Sequence, residues 1–401
     1  MTNSVTISRI TLRNYKSIAR CAVDLRPLIF LVGPNGSGKS NFLDALRLVT
    51  ESLNTSLEHA LRERSGINEV RRRSEGHPTH FGIRLDLRLP KNRTAHYAFE
   101  VGAKPKGGFA VQHEECRVFS PDALGKTDFY EVESGKMKAT SLSAHPPAMS
   151  DRLYLVTASG FHEFLPVYDA LSRMGFYNLN PEEIRDLQPP DAGELLLRNG
   201  SNLAAVLDHL PDKDKRRVVE FLSKVVPGVV DVNAKRIGKK ETLEFRQKIG
   251  SNGAPWRFMA ENMSDGTLRA LGILTALFQS GIPSHKKAPV VGIDEPEAAL
   301  HPGAAGVLRD ALREAARHTQ VLVTSHSPDL LDNKSISDDD ILAVEMREGK
   351  TLIAPVDAAG RSAIQDKLYT AGELLRMNQL NPDEKQLTRM ADPELFGDAK
   401  P

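Results

Sequence analysis

Cysteines, long apolar runs and net charge are all scarce in this sequence, and each scarcity excludes a class of protein. The 401 residues include two cysteines, Cys21 and Cys116, without metal-ligand spacing. This argues against a disulfide scaffold and suits a reducing compartment. Apolar runs such as "LIFLV" and "ILTALF" fall far short of the roughly 20 residues that a membrane helix needs. The N-terminus shows no apolar signal segment, so we expect a cytoplasmic chain without a membrane span.

Net charge is nearly absent, because 53 Lys and Arg face 52 Asp and Glu. The resulting charge of +1 provides no overall field that would draw the chain to nucleic acid or to an acidic membrane. Two local basic clusters could still contact DNA phosphates. They comprise Arg62, Arg64, Arg71, Arg72 and Arg73, and then Lys235, Arg236, Lys239 and Lys240. Since most such clusters are solvated faces, both interpretations stay open.

A glycine-rich loop, "GPNGSGKS" at 33–40, stands between an apolar strand pattern at 27–33 and a helical pattern that follows. In this context the glycines let backbone N–H groups converge on phosphate oxygens at a helix N-terminus. Lys39 would reach the β and γ phosphates, and Ser40 would supply a hydroxyl to Mg²⁺. A glycine-rich hairpin turn is the alternative, which the flanking elements disfavour. The predicted nucleotide-binding residues are Gly33, Pro34, Asn35, Gly36, Ser37, Gly38, Lys39, Ser40 and Asn41.

Two later strand patterns end in polar residues that suit hydrolysis. "VVGIDEP" ends a buried strand with Asp294, placed to hold Mg²⁺, and Glu295, placed to polarise a water. "TSHSP" ends the next strand, so His326 could face the γ phosphate or the attacking water. The alternatives are a solvated acidic turn and a structural histidine. His301, in "ALHPG", precedes a proline that fits a first helical turn, and its role is left open.

A second phosphate-binding surface is predicted in "ENMSDGTLRALGILTALF". Ser264, Asp265 and Gly266 begin a helix with an apolar face, which offers a hydroxyl and free N–H groups at a positive helix end. One nucleotide does not need two such surfaces. We therefore expect this one to meet the nucleotide of another subunit, with a plain N-cap as the alternative.

The remaining patterns predict an α/β fold with two additions. "HFGIRLDLRL" alternates like a half-exposed antiparallel strand, and short strands with glycine turns follow it. Helical spacing appears between 160 and 226 without sustained heptads, so no long coiled-coil arm is encoded there. Two apolar strands joined through a helix then indicate a parallel βαβ unit, and "ILAVE" and "TLIAPV" a closing hairpin.

These patterns divide the chain into four expected parts. They are the N-terminal half of an α/β core with the glycine loop and an antiparallel lobe at 1–158, a helical insertion at 159–240, the C-terminal half of that core at 241–385, and a polar, frayed tail at 386–401.

The motifs "GPNGSGKS", "MSDGTLRALG", "GIDEPEAALHP" and "TSHSP", in this order, resemble the ABC-type ATPase heads of the SMC, RecF and OLD group. The chain is most similar to small bacterial AAA-family ATPases with a RecF-like core. This resemblance implies a P-loop NTPase fold with a mainly parallel core sheet, and ATP and Mg²⁺ as cofactors. It makes Lys39 and Ser40 the Walker A residues, Asp294 and Glu295 the Walker B pair, Ser264 and Gly266 a signature that acts in trans, Ala298 to His301 the D-loop, and His326 the switch histidine.

The sequence departs from the pattern of the group at two places. The signature reads "MSDGT" where transporters have "LSGGQ", and "VRRRSEGHPTH" stands where a Q-loop glutamine is expected. The residue that links the γ phosphate to the rest of the head therefore stays open.

The resemblance further implies an ATP-dependent homodimer that acts on DNA in repair, recombination or defence against phage and plasmids. A Toprim-like nuclease would be a separate partner, because "DILAVEMREGK" does not continue as a Toprim domain would. A nucleotide-dependent sensor with slow turnover is the main alternative. A transporter ATPase subunit is another, against which the altered signature and the missing glutamine argue.

Overall fold

The computed structural model describes residues 5–74, 78–121, 126–250, 254–279, 288–298, 300–389 and 394–397. The strands are β1 Thr6–Tyr15, β2 Ile18–Asp24, β3 Leu28–Val32, β4 His80–Arg88, β5 Thr94–Ala103, β6 Phe109–Ser120, β7 Lys126–Glu133, β8 Lys136–Thr140, β9 Gly175–Tyr177, β10 Val229–Ile237, β11 Lys240–Gln247, β12 Trp256–Met259, β13 Val290–Asp294, β14 Gln320–Ser325, β15 Ile341–Arg347 and β16 Lys350–Pro355. The helices are α1 Lys39–Asn54, α2 Leu57–Arg62, α3 Ile67–Val70, α4 Leu155–Ala158, α5 Leu165–Ser172, α6 Pro181–Arg185, α7 Leu203–His209, α8 Asp212–Val225, α9 Asp265–Phe278, α10 Ala305–Ala315, α11 Pro328–Leu331, α12 Ala358–Gln365, α13 Ala371–Arg376 and α14 Glu384–Arg389.

A six-stranded core sheet runs in the order β16-β15-β3-β14-β13-β9 among the described residues. Its pairs are parallel except for the β15–β16 hairpin, which confirms the predicted closing hairpin. Both faces are covered, since Ile29 and Leu31 of β3 enter one apolar cluster while Phe30 and Val32 enter the other. The carboxyl ends of β3, β13 and β14 therefore meet at one edge, where a doubly covered parallel sheet places ligands.

A second, seven-stranded sheet is antiparallel and runs in the order β2-β1-β4-β5-β6-β7-β8. Its apolar face packs into the same cluster as α1. Together with the core sheet, this lobe confirms the predicted architecture of a mainly parallel core with an antiparallel β addition.

The predicted insertion at 159–240 contains more than helices. It includes β9, which pairs with β13 in the core sheet, and β10, which begins a three-stranded sheet β10-β11-β12. A three-residue strand such as β9 is too short to show a period of two, so no sequence pattern marks it. Helices α7 and α8 pack in one apolar cluster with α9. No described helix has the length and apolar character required to cross a membrane.

The expectation of a frayed tail is wrong at residues 394–397, which dock on the antiparallel sheet. Leu395 is 2% exposed. Arg84 of β4 donates to the carbonyl oxygens of Leu395 at 3.2 Å and of Gly397 at 2.9 Å. Phe396 stacks on His113, with ring centroids 3.8 Å apart. These tail residues are thus held by contacts with β4 and β6, which lie far away in sequence, so a local pattern does not reveal them.

Candidate active site

The glycine loop depends on backbone freedom and close packing at two of its glycines. Gly38 has a φ of 98° and ends the loop immediately before α1 begins at Lys39. This left-handed conformation is costly for residues other than glycine. A Cβ on Gly33 would lie 2.0 Å from the carbonyl oxygen of Val344 in β15. The neighbouring hairpin therefore packs so closely on the loop that only glycine fits at position 33.

The residues of the loop fit a polyphosphate. Lys39 is buried, and its Nζ donates to the carbonyl oxygens of Gly33 at 2.9 Å and Pro34 at 3.0 Å. Burial lowers the pKa of Lys39, although the nearby carboxylates, Glu295 first, act in the opposite direction. The buried Ser37 Oγ has no hydrogen-bond partner among the described residues. An ammonium group and an unsatisfied hydroxyl in one loop can both bind phosphate oxygens.

The structure brings together the two residues predicted to hold Mg²⁺. Ser40 Oγ donates to Asp294 Oδ1 at 3.0 Å, and Thr324 Oγ1 of the adjacent β14 bonds to the same carboxylate oxygen. Oxygen ligands of this kind suit a small divalent cation that also binds phosphates. Thr324 was not singled out from the sequence, where it is the first letter of "TSHSP".

Glu295 follows β13 in a strained conformation with a φ of 46°. Its N–H donates to Thr324 Oγ1 at 3.0 Å, which ties the turn to the next strand. Its Oε1 lies 3.0 Å from His326 Nδ1. Strained residues of this kind cluster at functional sites. The predicted carboxylate and histidine thus form one pair at the edge of the core sheet, where they can act together on a water molecule.

Glu297 supports the histidine and was not predicted from the sequence. Its Oε1 accepts hydrogen bonds from Ser325 Oγ at 2.6 Å and from the N–H of His326 at 3.3 Å. The repeated acidic residue in "DEPE" was the available signal. These bonds fix the backbone that carries His326.

Arg269 of α9 was not predicted either, and it joins α9 to the end of β13. Its Nη2 donates to the carbonyl oxygens of Asp294 at 3.3 Å and Glu295 at 3.1 Å, and its Nη1 donates to that of Leu179 at 2.9 Å. Burial lowers the pKa of Arg269, while Glu297 acts in the opposite direction. An arginine in an otherwise apolar helix was a signal, but its target depends on how α9 packs.

The predicted signature residues lie outside this cluster. Ser264 is the N-cap of α9, and its Oγ accepts from the N–H of Thr267 at 3.3 Å. Asp265 forms an ion pair with Arg185. Ser264 and Asp265 are exposed and Gly266 is half-buried. Among the described residues, no hydrogen bond joins these three to the glycine loop.

The predicted D-loop is only partly described. The N–H of Ala298 donates to the carbonyl oxygen of Glu295 at 3.1 Å, whereas Ala299 lies outside the described residues. His301 is the N-cap of the 3₁₀ helix Pro302–Ala304, and its Nδ1 accepts from the N–H of Gly303 at 3.1 Å. His301, whose role the sequence leaves open, therefore caps this short helix.

The first basic cluster cannot serve as one phosphate-binding face. Arg64 and Arg72 are buried, the former against Asp44 and the latter on the carbonyl oxygens of Ser17 and Gly349. The second cluster lies at the exposed hairpin between β10 and β11. All four members are exposed, and Lys235 and Arg236 pair with Glu244 and Glu241.

Two protein-family models match the chain. One, described as "AAA domain, putative AbiEii toxin, Type IV TA system", matches residues 176–332, and one described as "AAA ATPase domain" matches residues 6–105. The first match contains the predicted signature, Walker B and switch residues, and the second contains the glycine loop. A search among curated proteins found no similar sequence.

Solved structures of SMC heads share the fold. An SMC head bound to the C-terminal winged-helix domain of ScpA is 14% identical with a TM-score of 0.52, and the match covers 88% of this chain and 99% of that one. A Pyrococcus furiosus SMC head with an extended coiled coil, bound to the C-terminal domain of ScpA, is 13% identical with a TM-score of 0.52, covering 91% and 99%. At this identity the likeness concerns the fold.

Proposed function

Because this chain is an AAA-type ATPase with the fold of SMC head domains, we propose that it works as an ATP-gated clamp. Two copies close around two ATP molecules, and hydrolysis opens them. The observation that carries the proposal is the division of the site. The phosphate loop, Asp294, Glu295 and His326 assemble within one chain, while Ser264 and Gly266 stand outside that cluster at an accessible helix N-terminus. A second copy can supply that missing surface.

Each residue has a defined part in the proposed hydrolysis. Lys39 exchanges its loop carbonyls for phosphate oxygens, and Ser40 and Asp294 hold Mg²⁺, which neutralises phosphate charge when bound. Glu295 accepts a proton from the water that attacks the γ phosphorus, the bond to the ADP oxygen breaks, and ADP and phosphate leave. His326 orients the Glu295 carboxylate through their hydrogen bond.

The test is the solution mass of Glu295→Gln with and without Mg-ATP, because this change keeps nucleotide binding and removes the base. Mg-ATP should convert monomer to dimer. Adding Ser264→Arg places a bulky cation at the signature, so the double variant should bind ATP and stay monomeric. If Glu295→Gln binds ATP and its mass does not change, two copies of this chain do not form the clamp.

We propose further that the clamp acts on DNA and works with a separate nuclease in repair, recombination or defence. The exposed Lys239 and Lys240 support DNA contact, and the toxin–antitoxin system named in one family description suits defence. The ScpA domains bound to the two SMC heads suggest that an accessory protein also binds this head. Duplex binding by the ATP-bound form that weakens with salt would support this proposal, and its absence would refute it.

A slow nucleotide-dependent sensor is the second candidate, because Asp265 is already engaged by Arg185, which leaves the signature partly occupied. The two candidates differ in turnover. Hydrolysis stimulated by duplex DNA supports the clamp, whereas slow hydrolysis that DNA does not change supports the sensor.

A further inference from the structure

A cavity of about 200 Å³ opens beside the metal end of the glycine loop. Ser40 and Asp294 line one side of it, and Lys16, Arg47 and Arg198 also line it. Three cations, together with the carboxylates of Asp44 and Asp294, therefore line a space that adjoins the predicted Mg²⁺ position. The hydrolysis proposed above assigns no part to any of the three.

Lys16 and Arg47 already have a counter-ion. Asp44 of α1 pairs with Lys16 at 2.6 Å, with Arg47 at 2.5 Å and with the buried Arg64 at 2.9 Å. Burial alone would raise the pKa of Asp44, but these cations, Arg64 first, hold it below its usual range. The network is therefore ionised, and it fixes Lys16 and Arg47 on the wall of the cavity.

Arg198 differs from its two neighbours because its guanidinium makes no hydrogen bond or ion pair with the part of the chain that the structure describes. Partial burial lowers the pKa of Arg198, and the positive charge of Arg47 lowers it further, while the carboxylates of Glu51, Asp44 and Asp294 act in the opposite direction. An arginine with this surrounding stays charged, since its usual pKa exceeds 12. It would gain free energy from an anion placed in the cavity.

The loop that carries Arg198 is tied to two elements of the site. The N–H of Asn178, at the end of β9, donates to the carbonyl oxygen of Arg198 at 3.0 Å. The N–H of Leu196 donates to Gln279 Oε1 at 2.9 Å, and Gln279 is the C-cap of α9. Gln279 Nε2 in turn donates to the buried hydroxyl of Tyr177 at 2.5 Å. Buried hydrogen bonds thus connect the Arg198 loop to β9 and to the signature helix.

We infer that Arg198 binds the γ-phosphate end of ATP held in its own chain, and that its loop passes the presence of that phosphate to α9 through Gln279. The inference rests on ATP binding at the glycine loop and does not require dimerisation. It makes this head discriminate a nucleoside triphosphate from a diphosphate before a second copy arrives. It also provides the link to the γ phosphate for which the sequence offers no glutamine.

The first test compares ATP and ADP affinities in a Glu295→Gln background, which prevents hydrolysis. Arg198→Ala should lower ATP affinity by about tenfold, the strength of one charge-assisted hydrogen bond, and leave ADP affinity unchanged. Arg198→Lys should retain part of the difference. Arg216→Ala, which removes an exposed arginine of α8, is the matched control and should change neither affinity. Equal ATP-to-ADP affinity ratios in Arg198→Ala and its parent would overturn the inference.

The second test follows hydrogen exchange in α9 in the monomeric Glu295→Gln, Ser264→Arg protein. ATP should protect α9 more than ADP does, and Arg198→Ala should remove that difference. Exchange that is the same with both nucleotides would overturn the proposed transmission.

The clamp proposal and the Arg198 inference can fail separately. If the protein never dimerises but Arg198→Ala removes its preference for ATP over ADP, the inference stands and the clamp proposal fails. If it dimerises and Arg198→Ala leaves the ATP-to-ADP affinity ratio unchanged, only the clamp proposal stands.

Discussion

At the residue scale, Arg269 positions the Walker B backbone without touching the reacting atoms. Its guanidinium holds the carbonyl oxygens of Asp294 and Glu295 from α9. Arg269→Ala should therefore lower kcat by about tenfold or more, as expected for a displaced catalytic carboxylate, while KM changes less. Arg269→Lys should recover part of kcat. Steady-state kinetics at saturating Mg-ATP measure both constants, and a change confined to KM would contradict the positioning role.

The φ of 46° at Glu295 predicts that glycine and alanine at this position differ in their effect on stability. A glycine tolerates this conformation, whereas alanine costs about 1 kcal/mol more there. Glu295→Gly should thus be more stable than Glu295→Ala by about 1 kcal/mol, although both variants lose hydrolysis. Urea unfolding of the two variants gives the comparison, and equal midpoints would show that the turn relaxes when the carboxylate is removed.

At the element scale, a buried carboxylate couples the antiparallel sheet to the first turn of α4. Glu114 of β6 accepts hydrogen bonds from the N–H groups of Tyr154 and Leu155 at 2.5 and 2.8 Å, and from the hydroxyls of Tyr130 and Tyr97 at 2.9 and 3.1 Å. Burial raises its pKa from 4.5 to about 7, against the effect of these bonds. A group with a raised folded pKa contributes stability at low pH that is lost as pH rises through that value.

Wild-type stability should therefore fall relative to Glu114→Gln as the pH rises. Between pH 5 and 8 the unfolding free energy of the wild type should fall by roughly 2 to 3 kcal/mol relative to that of Glu114→Gln. Chemical unfolding at several pH values measures it. A difference that stays constant over this range would mean that Glu114 titrates at its ordinary pKa.

How far the sequence predicts an element depends on whether its determinants are local. The glycine loop, Asp294, Glu295 and His326 were placed because each follows an apolar strand whose pattern is visible within about ten residues. Arg269 and Arg198 act on partners 25 or more positions away or on a ligand. Their roles follow from the packing of α9 and of the Arg198 loop, which no local period encodes.

At the scale of the whole molecule, residues 394–397 dock on the antiparallel sheet in a way that only the tertiary structure reveals. Gly82 leaves room for Leu395, since a Cβ at that position would lie 2.3 Å from the Leu395 side chain. Gly397 donates its N–H to Glu115 Oε1 at 2.8 Å. The docked tail covers the polar face of the antiparallel sheet. This explains why Arg84 and Glu115 are buried on a strand face that alternation predicts to be exposed.

The charge distribution of the folded molecule gives the proposed DNA contact a quantitative test. Most of the first basic cluster is engaged within the fold, whereas Lys239 and Lys240 are exposed on the β10–β11 hairpin. The net charge of +1 means that the protein as a whole does not repel DNA from this hairpin. Lys239→Ala with Lys240→Ala should weaken duplex binding by Glu295→Gln with Mg-ATP. The slope of the logarithm of the DNA association constant against the logarithm of the salt concentration should become shallower by about 1 for each DNA phosphate that the variant no longer neutralises. Arg62→Ala, which breaks an exposed pair with Glu58, is the control and should leave the slope unchanged. An unchanged slope in the hairpin variant would place the DNA elsewhere on the clamp.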